Sequence, residues 1–95
     1  MPNVKMQGND IRDTSGRRIG YIQGNDIRDD RGARLGYVQG NDIRDDRGSR
    51  IAYVRGSDIC DDRGSRIGSI DSARASIEGG FGGVTLAAVW IFFIR

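Results

Sequence analysis

The stretch GNDIRDDRGARLGYVQ, Gly24 to Gln39, decides how the chain is read. GNDIRDDRGSRIAYVR, Gly40 to Arg55, follows at once and keeps twelve of its sixteen residues. GNDIRDTSGRRIGYIQ at 8–23 and GSDICDDRGSRIGSID at 56–71 flank the pair, so four 16-residue repeats run without a gap. Repetition at a fixed period makes each unit one supersecondary element packed on its neighbours.

A finer period of eight lies inside the repeat. Glycine falls at 8, 16, 24, 32, 40, 48, 56 and 64, and three places after each comes Ile11, Ile19, Ile27, Leu35, Ile43, Ile51, Ile59 or Ile67. The residue before each aliphatic alternates between Asp (10, 26, 42, 58) and Arg (18, 34, 50, 66). Eight residues suit one short strand and one turn. They are too few for a helix and its connection. The spacing predicts a three-residue loop at every turn, with the glycine closing it in the left-handed conformation. That register pairs Ile27 with Leu35 and Leu35 with Ile43, which sets all eight aliphatics at one level of one face. Alternation adds Asn25, Asp29 and Tyr37 to that face and sends Asp26, Arg28, Arg34 and Gly36 to the other. A meander of this kind removes its edges by closing. The expected fold is mainly β: a pseudo-fourfold meander of eight short antiparallel strands closing into a shallow flared barrel, plus a C-terminal apolar helix. Val4–Gln7 (VKMQ) matches YIQ and YVQ and reads as a ninth strand over the closure seam. The divisions are a repeat domain at 1–71, a Gly/Ser/Ala-rich linker at 72–80 and an apolar helix at 81–95.

The pattern G-x-x-I-x-D-x-x-G-x-x-I-G-Y-V/I, four times over between Val4 and Asp71, resembles the bacterial 4-fold β-flower family. The departures are Ala52 for Gly, Ser69 for Tyr and Cys60 for Arg. The resemblance implies a flared barrel of hairpin petals, often with a hydrophobic segment beside it. It implies no particular activity.

Composition narrows the function classes. Over Gly8–Asp71 twelve Arg balance twelve Asp, and the whole chain carries only +2, so no one-signed patch for nucleic acid is expected. There is no His, the commonest general base, and Ser is scattered through turns and linker, so no nucleophile–base pair is expected. A lone Cys60 excludes an intrachain disulfide and a Cys-based metal site. Its place at an arginine position of the outer face leaves the thiol idle or, if exposed beside arginine, reactive. MPNVKMQGND lacks an apolar h-region, so no signal peptide is read there and a cytoplasmic location is expected.

The repeated carboxylates invite a calcium reading. The eight-residue period differs from the nine-residue calcium-binding repeat, and no EF-hand spacing is present. A narrower candidate is a cation ring of Asp13, Asp29, Asp45 and Asp61, one from each repeat. Against it, Asp at the head of a turn ordinarily accepts from that turn's own N–H groups. The outer arginines offer a surface for phosphate or anionic lipid, but the matched aspartates favour a self-compensated face. No cofactor is expected.

After Asp71 the composition changes. From Phe81 to Ile94 only Thr85 is polar, which as a helix gives ~21 Å, short of the ~20 residues a membrane span needs. A segment apolar all round must be buried, here in the flower, a second copy or lipid. The turns holding Ile22, Val38 and Val54 are apolar and those holding Asp30, Asp46 and Asp62 are charged. Ser69 in place of Tyr leaves room for the chain to enter. The tail is therefore expected to pack from an apolar mouth of Tyr21, Tyr37, Tyr53, Ile22, Val38, Val54 and Trp90. The expected function is a non-enzymatic structural or interaction module with its tail on the flower or used in self-association. The alternatives are a module inserting residues 81–95 into a membrane and a binder of small apolar ligands or lipid at the mouth.

Overall fold

The computed structural model describes residues 3–79 and 82–94. Strands β1 (Val4–Gln7), β2 (Asp10–Arg12), β3 (Arg18–Gln23), β4 (Asp26–Asp29), β5 (Arg34–Gln39), β6 (Asp42–Asp45), β7 (Arg50–Arg55), β8 (Asp58–Asp61) and β9 (Arg66–Ser69) form an antiparallel meander. Helix α1 (Ile70–Ser76) then leads to β10 (Ile77–Glu78), which pairs in parallel with β1. The ten-stranded sheet runs β10-β1-β2 through to β9. Among the described residues no ladder joins β9 to β10 or β1, so the expected closed barrel is an open, curved sheet. A helix stands where the closing strand would be: Ser69 caps α1 by accepting from Ser72 N at 3.0 Å, and Asp71 occupies the favourable first turn. Ser69 is thus a helix cap, and the stretch read as linker holds most of α1 and all of β10.

The two turn flavours differ in length, contrary to the uniform loop expected. The charged turns are three-residue loops: Asp29 N donates to Ala33 O at 2.9 Å, and Gly32 N, at φ 90°, donates to Asp29 O at 3.1 Å. The other turns are two-residue loops, with Gln23 opposite Asp26 and Gly24 at φ 61° followed by Asn25 at negative φ. Glycine first and asparagine second is the type II′ arrangement, whose twist matches that of paired strands.

Beyond each charged turn the register slips by one. Arg28 faces Arg34, as expected, but Ile27 faces Gly36, leaving Leu35 as a bulge; the same shift recurs at Ile11/Arg12, Ile43/Arg44 and Ile59/Cys60. A bulge bends its strand and increases local twist, and one every sixteen residues curls the sheet into a cup. It also overturns the expected faces. Ile27 does not pair with Leu35: it stands between Gly36 on one side and Ile22 on the other, and Ile43 pairs likewise with Val38. The ring of eight divides into Ile11, Ile27, Ile43 and Ile59, fully buried, and Ile19, Leu35, Ile51 and Ile67, partly buried. Gly36 moves to the concave face and Tyr37 to the convex one. Ile22, Val38 and Val54 are strand residues of the concave core, not a rim of turns.

The alternate strands β1, β3, β5, β7 and β9, the last with the first residue of α1, present equivalent positions to the cup. One row is Val4, Gly20, Gly36, Ala52 and Gly68, and the next is Met6, Ile22, Val38, Val54 and Ile70, each member sixteen residues from the last. The backbone keeps the same step to the end: Ile22, Val38, Val54 and Ile70 donate N–H to the carbonyls of residues 9, 25, 41 and 57 at 2.8–3.0 Å. The cup therefore has five petals. The fifth joins β9, α1 and β10 to β1, with Ile77 buried beside Val4.

The C-terminal segment fills the cup. It is a seven-residue helix, α2 (Gly83–Val89), continued by a π-helical turn over Trp90–Ile94, in place of the single helix expected over 81–95. Phe81 and Arg95 lie outside the described residues. Leu86, Ala87, Ala88 and Val89 are buried and join the strand core. The aromatic rings lie against the glycine row. A Cβ added at Gly20 would come within 2.5 Å of Phe93, one at Gly68 within 2.7 Å of Trp90, and one at Gly36 would meet Phe92. Real side chains do not approach that closely, so the three glycines are openings that the rings occupy. Gly68→Ala should lower stability in a urea melt by about 1–3 kcal/mol, the usual effect of overpacking. It should also shift the emission of Trp90, the single tryptophan, to the red. Unchanged emission with unchanged stability would mean that the indole does not sit there.

Candidate functional site

The residues singled out in the sequence fall on three surfaces. Ile22, Val38, Val54 and Trp90 meet inside the cup, as part of one core. Tyr21, Tyr37 and Tyr53 do not join them. They lie on the convex face, because the bulge reverses alternation before they are reached. The expected mouth is therefore not a single surface.

On that convex face the tyrosines belong to a repeated polar network. Arg34 stacks over the Tyr37 ring at 4.9 Å, as Arg18 does over Tyr21 and Arg50 over Tyr53. Arg28 donates from Nη2 to Asp26 Oδ2 at 3.0 Å and from Nη1 to the Gly32 carbonyl at 2.7 Å, so it ties its strand to the following charged turn. Arg34 reaches the next repeat, donating to the Asp46 carbonyl at 2.7 Å. Arg34 Nη1 also lies 3.8 Å from Asp26 Oδ1, so Asp26 answers both arginines. The arginines are thus bound to their own scaffold, and an exposed pair of this kind contributes little stability by itself. Cys60 interrupts the network at the fourth repeat. Its strand partners are Tyr53 and Arg66, and among these longer side chains the thiol is fully buried, contrary to the exposed position considered above.

Asp13, Asp29, Asp45 and Asp61 do not assemble into a cation ring. Among the described residues no three His, Cys, Asp or Glu come together as a metal-holding group. Each carboxylate serves its own turn. Asp29 Oδ1 accepts from Arg31 N at 2.9 Å and Ala33 N at 3.0 Å, and Asp45 and Asp61 repeat the pattern. Asp13 adds the Ser15 hydroxyl at 2.6 Å.

A site that sequence reasoning missed lies at the seam between β1 and β10. A cavity of about 380 Å³ opens there between Lys5, Glu78 and the first charged turn, Asp13 to Gly16. Lys5 stands opposite Arg12 and beside Glu78. The signal was present in the sequence: position 5 is sixteen residues before Tyr21, and lysine there breaks the tyrosine series.

With this geometry described, comparison with known proteins assigns the class. The model of a family described as "5-fold beta-flower protein" matches residues 3–94, nearly the whole chain. The chain belongs to the 5-fold β-flower family. This corrects the fourfold expectation, and the physical reason is the fifth petal divided between the two ends of the repeat region. No curated protein and no solved structure matches the chain. Among the described residues no helix is long and apolar enough to cross a membrane.

The Asp13 turn gives a titration test. The Ser15 hydroxyl has the largest effect on the Asp13 carboxyl and, against the next-largest and opposing effect of burial, holds it below its ordinary value of 3.8 together with the backbone N–H groups of Arg17 and Ser15 and the Arg17 charge. A carboxyl lowered by folding favours the fold in its charged form. Its contribution is complete above the unfolded value and fades as pH falls through the folded one. Ser15→Ala should move the Asp13 pKa upward toward 3.8 in a carbon-detected NMR titration. No movement would place the cause elsewhere.

Proposed function

We propose that this β-flower is a non-catalytic structural or interaction module that carries its own core filler. The observation behind the reading is the match between Trp90, Phe92 and Phe93 and the openings at Gly68, Gly36 and Gly20. A curled sheet of short strands has a concave apolar face that must be covered. In this reading the C-terminal segment covers it, and partners are met by the convex Tyr–Arg–Asp belt and the turn rims. The belt suits partners that carry charges of both signs, because its own charges are paired. The absence of histidine from the sequence and the use of the aspartates as turn supports favour binding over catalysis.

The same reading makes the tail the point at which association would start. Were it to leave the cup, both the concave face and residues 81–95 would be free to bind a second copy or lipid. The test compares the full chain with one ending at Gly79. The full chain is expected to remain in the soluble fraction after cell lysis and to unfold cooperatively. The shortened chain should bind a hydrophobic dye strongly, lose cooperative unfolding or self-associate. A full chain recovered with membranes would replace this reading by lipid insertion of 81–95. A shortened chain that stays folded, monomeric and dye-free would remove the tail from the core.

A further inference from the structure

The seam cavity has a shape that the repeats themselves explain. On the convex face each tyrosine reaches the next charged turn. A Cβ built on Gly32 would lie 3.2 Å from the Tyr21 hydroxyl, and the same holds for Gly48 with Tyr37 at 3.3 Å and Gly64 with Tyr53 at 3.2 Å. Each phenol therefore covers one turn glycine, and all three glycines are half-buried. Among the described residues the first charged turn has no such cover. Its glycine, Gly16, is exposed, with no atom of the described residues within 4 Å of a built Cβ. The residue equivalent to tyrosine is Lys5, which faces Arg12 as Tyr21 faces Arg28. The cavity of about 380 Å³ lies at this uncovered turn and falls within the range of small-molecule sites.

We infer that the seam cavity binds a small monocyclic phenol, whose hydroxyl takes the place over Gly16 that the tyrosine hydroxyl takes over Gly32, Gly48 and Gly64. The chemistry of the wall fits that occupant. Thr14 and Ser15 replace the Asp and Arg found in the other charged turns, so Asp13 is the one charged residue that this turn gives the cavity. Lys5, at the position from which tyrosine reaches its turn, lines the other end of the cavity with Val4 and Glu78, and its methylene stem gives the far edge of the ring an apolar wall. The three occupied turns show that a phenol packs against this backbone without moving it.

The test is a titration of the isotope-labelled full chain with p-cresol, followed by amide NMR. Saturable shifts confined to Lys5, Thr14, Ser15, Gly16 and Glu78 are expected. Lys5→Tyr restores the repeat residue and should abolish them by filling the cavity from within. Tyr37→Ala uncovers Gly48 and should create a second saturable site there. Shifts that do not saturate, that spread equally over Gly32, Gly48 and Gly64, or that persist unchanged in Lys5→Tyr would overturn the inference. The wild-type titration decides it even if a variant fails to fold.

Discussion

The structure depends on three ring-sized openings in an otherwise crowded concave face. A chain of 95 residues buries little surface, and its short strands each give the core only one or two side chains. The sheet alone would leave that face wet. Glycine at positions 20, 36 and 68 lets Phe93, Phe92 and Trp90 sit close against the backbone, so the tail joins the strands in one core. Side chains in that row would hold the tail away and leave a gap, which forfeits contact on both sides of it.

The cup in which those openings lie is made by the bulges. Each three-residue turn, with an aspartate accepting from two of its own N–H groups, fixes where the next strand begins. The slip one residue later bends the strand and exchanges the faces. The type II′ turns restore plain pairing before the next slip. Curvature is thus installed locally, petal by petal, and the convex Arg–Asp–carbonyl bonds link each petal to its successor. This is the nearest-neighbour logic of repeat proteins, carried round a ring.

Much of this was legible in the sequence. The octad, the charged-turn geometry and the role of aspartate at its head follow from Gly and Asp spacing alone. The type II′ turns were also legible, since Gly–Asn between strands is their signature. They were missed because one loop length was applied to both flavours. That error moved Tyr37 and Gly36 to the wrong faces and hid the bulge at Leu35. The fifth petal was visible as Val4 and Met6 standing sixteen residues before Gly20 and Ile22, but its other half carries α1. The apolar spacing Ile70, Ala73 and Ile77, behind a Ser cap, marks that helix within a stretch whose small residues suggested a linker. The seating of the aromatic rings was not legible, because it depends on how far the accumulated bulges curl the sheet.

A fivefold cup filled by one unsymmetric segment raises a question of orientation. Turned by one fifth, the tail would meet nearly the same petals again. Round the cup the floor reads Val4, Gly20, Gly36, Ala52, Gly68, and the rings stand on the second, third and fifth places. Any other setting brings at least one ring onto Ala52 or Val4. Two side chains that would pass for repeat drift act as an angular key, leaving one of five rotational settings open to the tail.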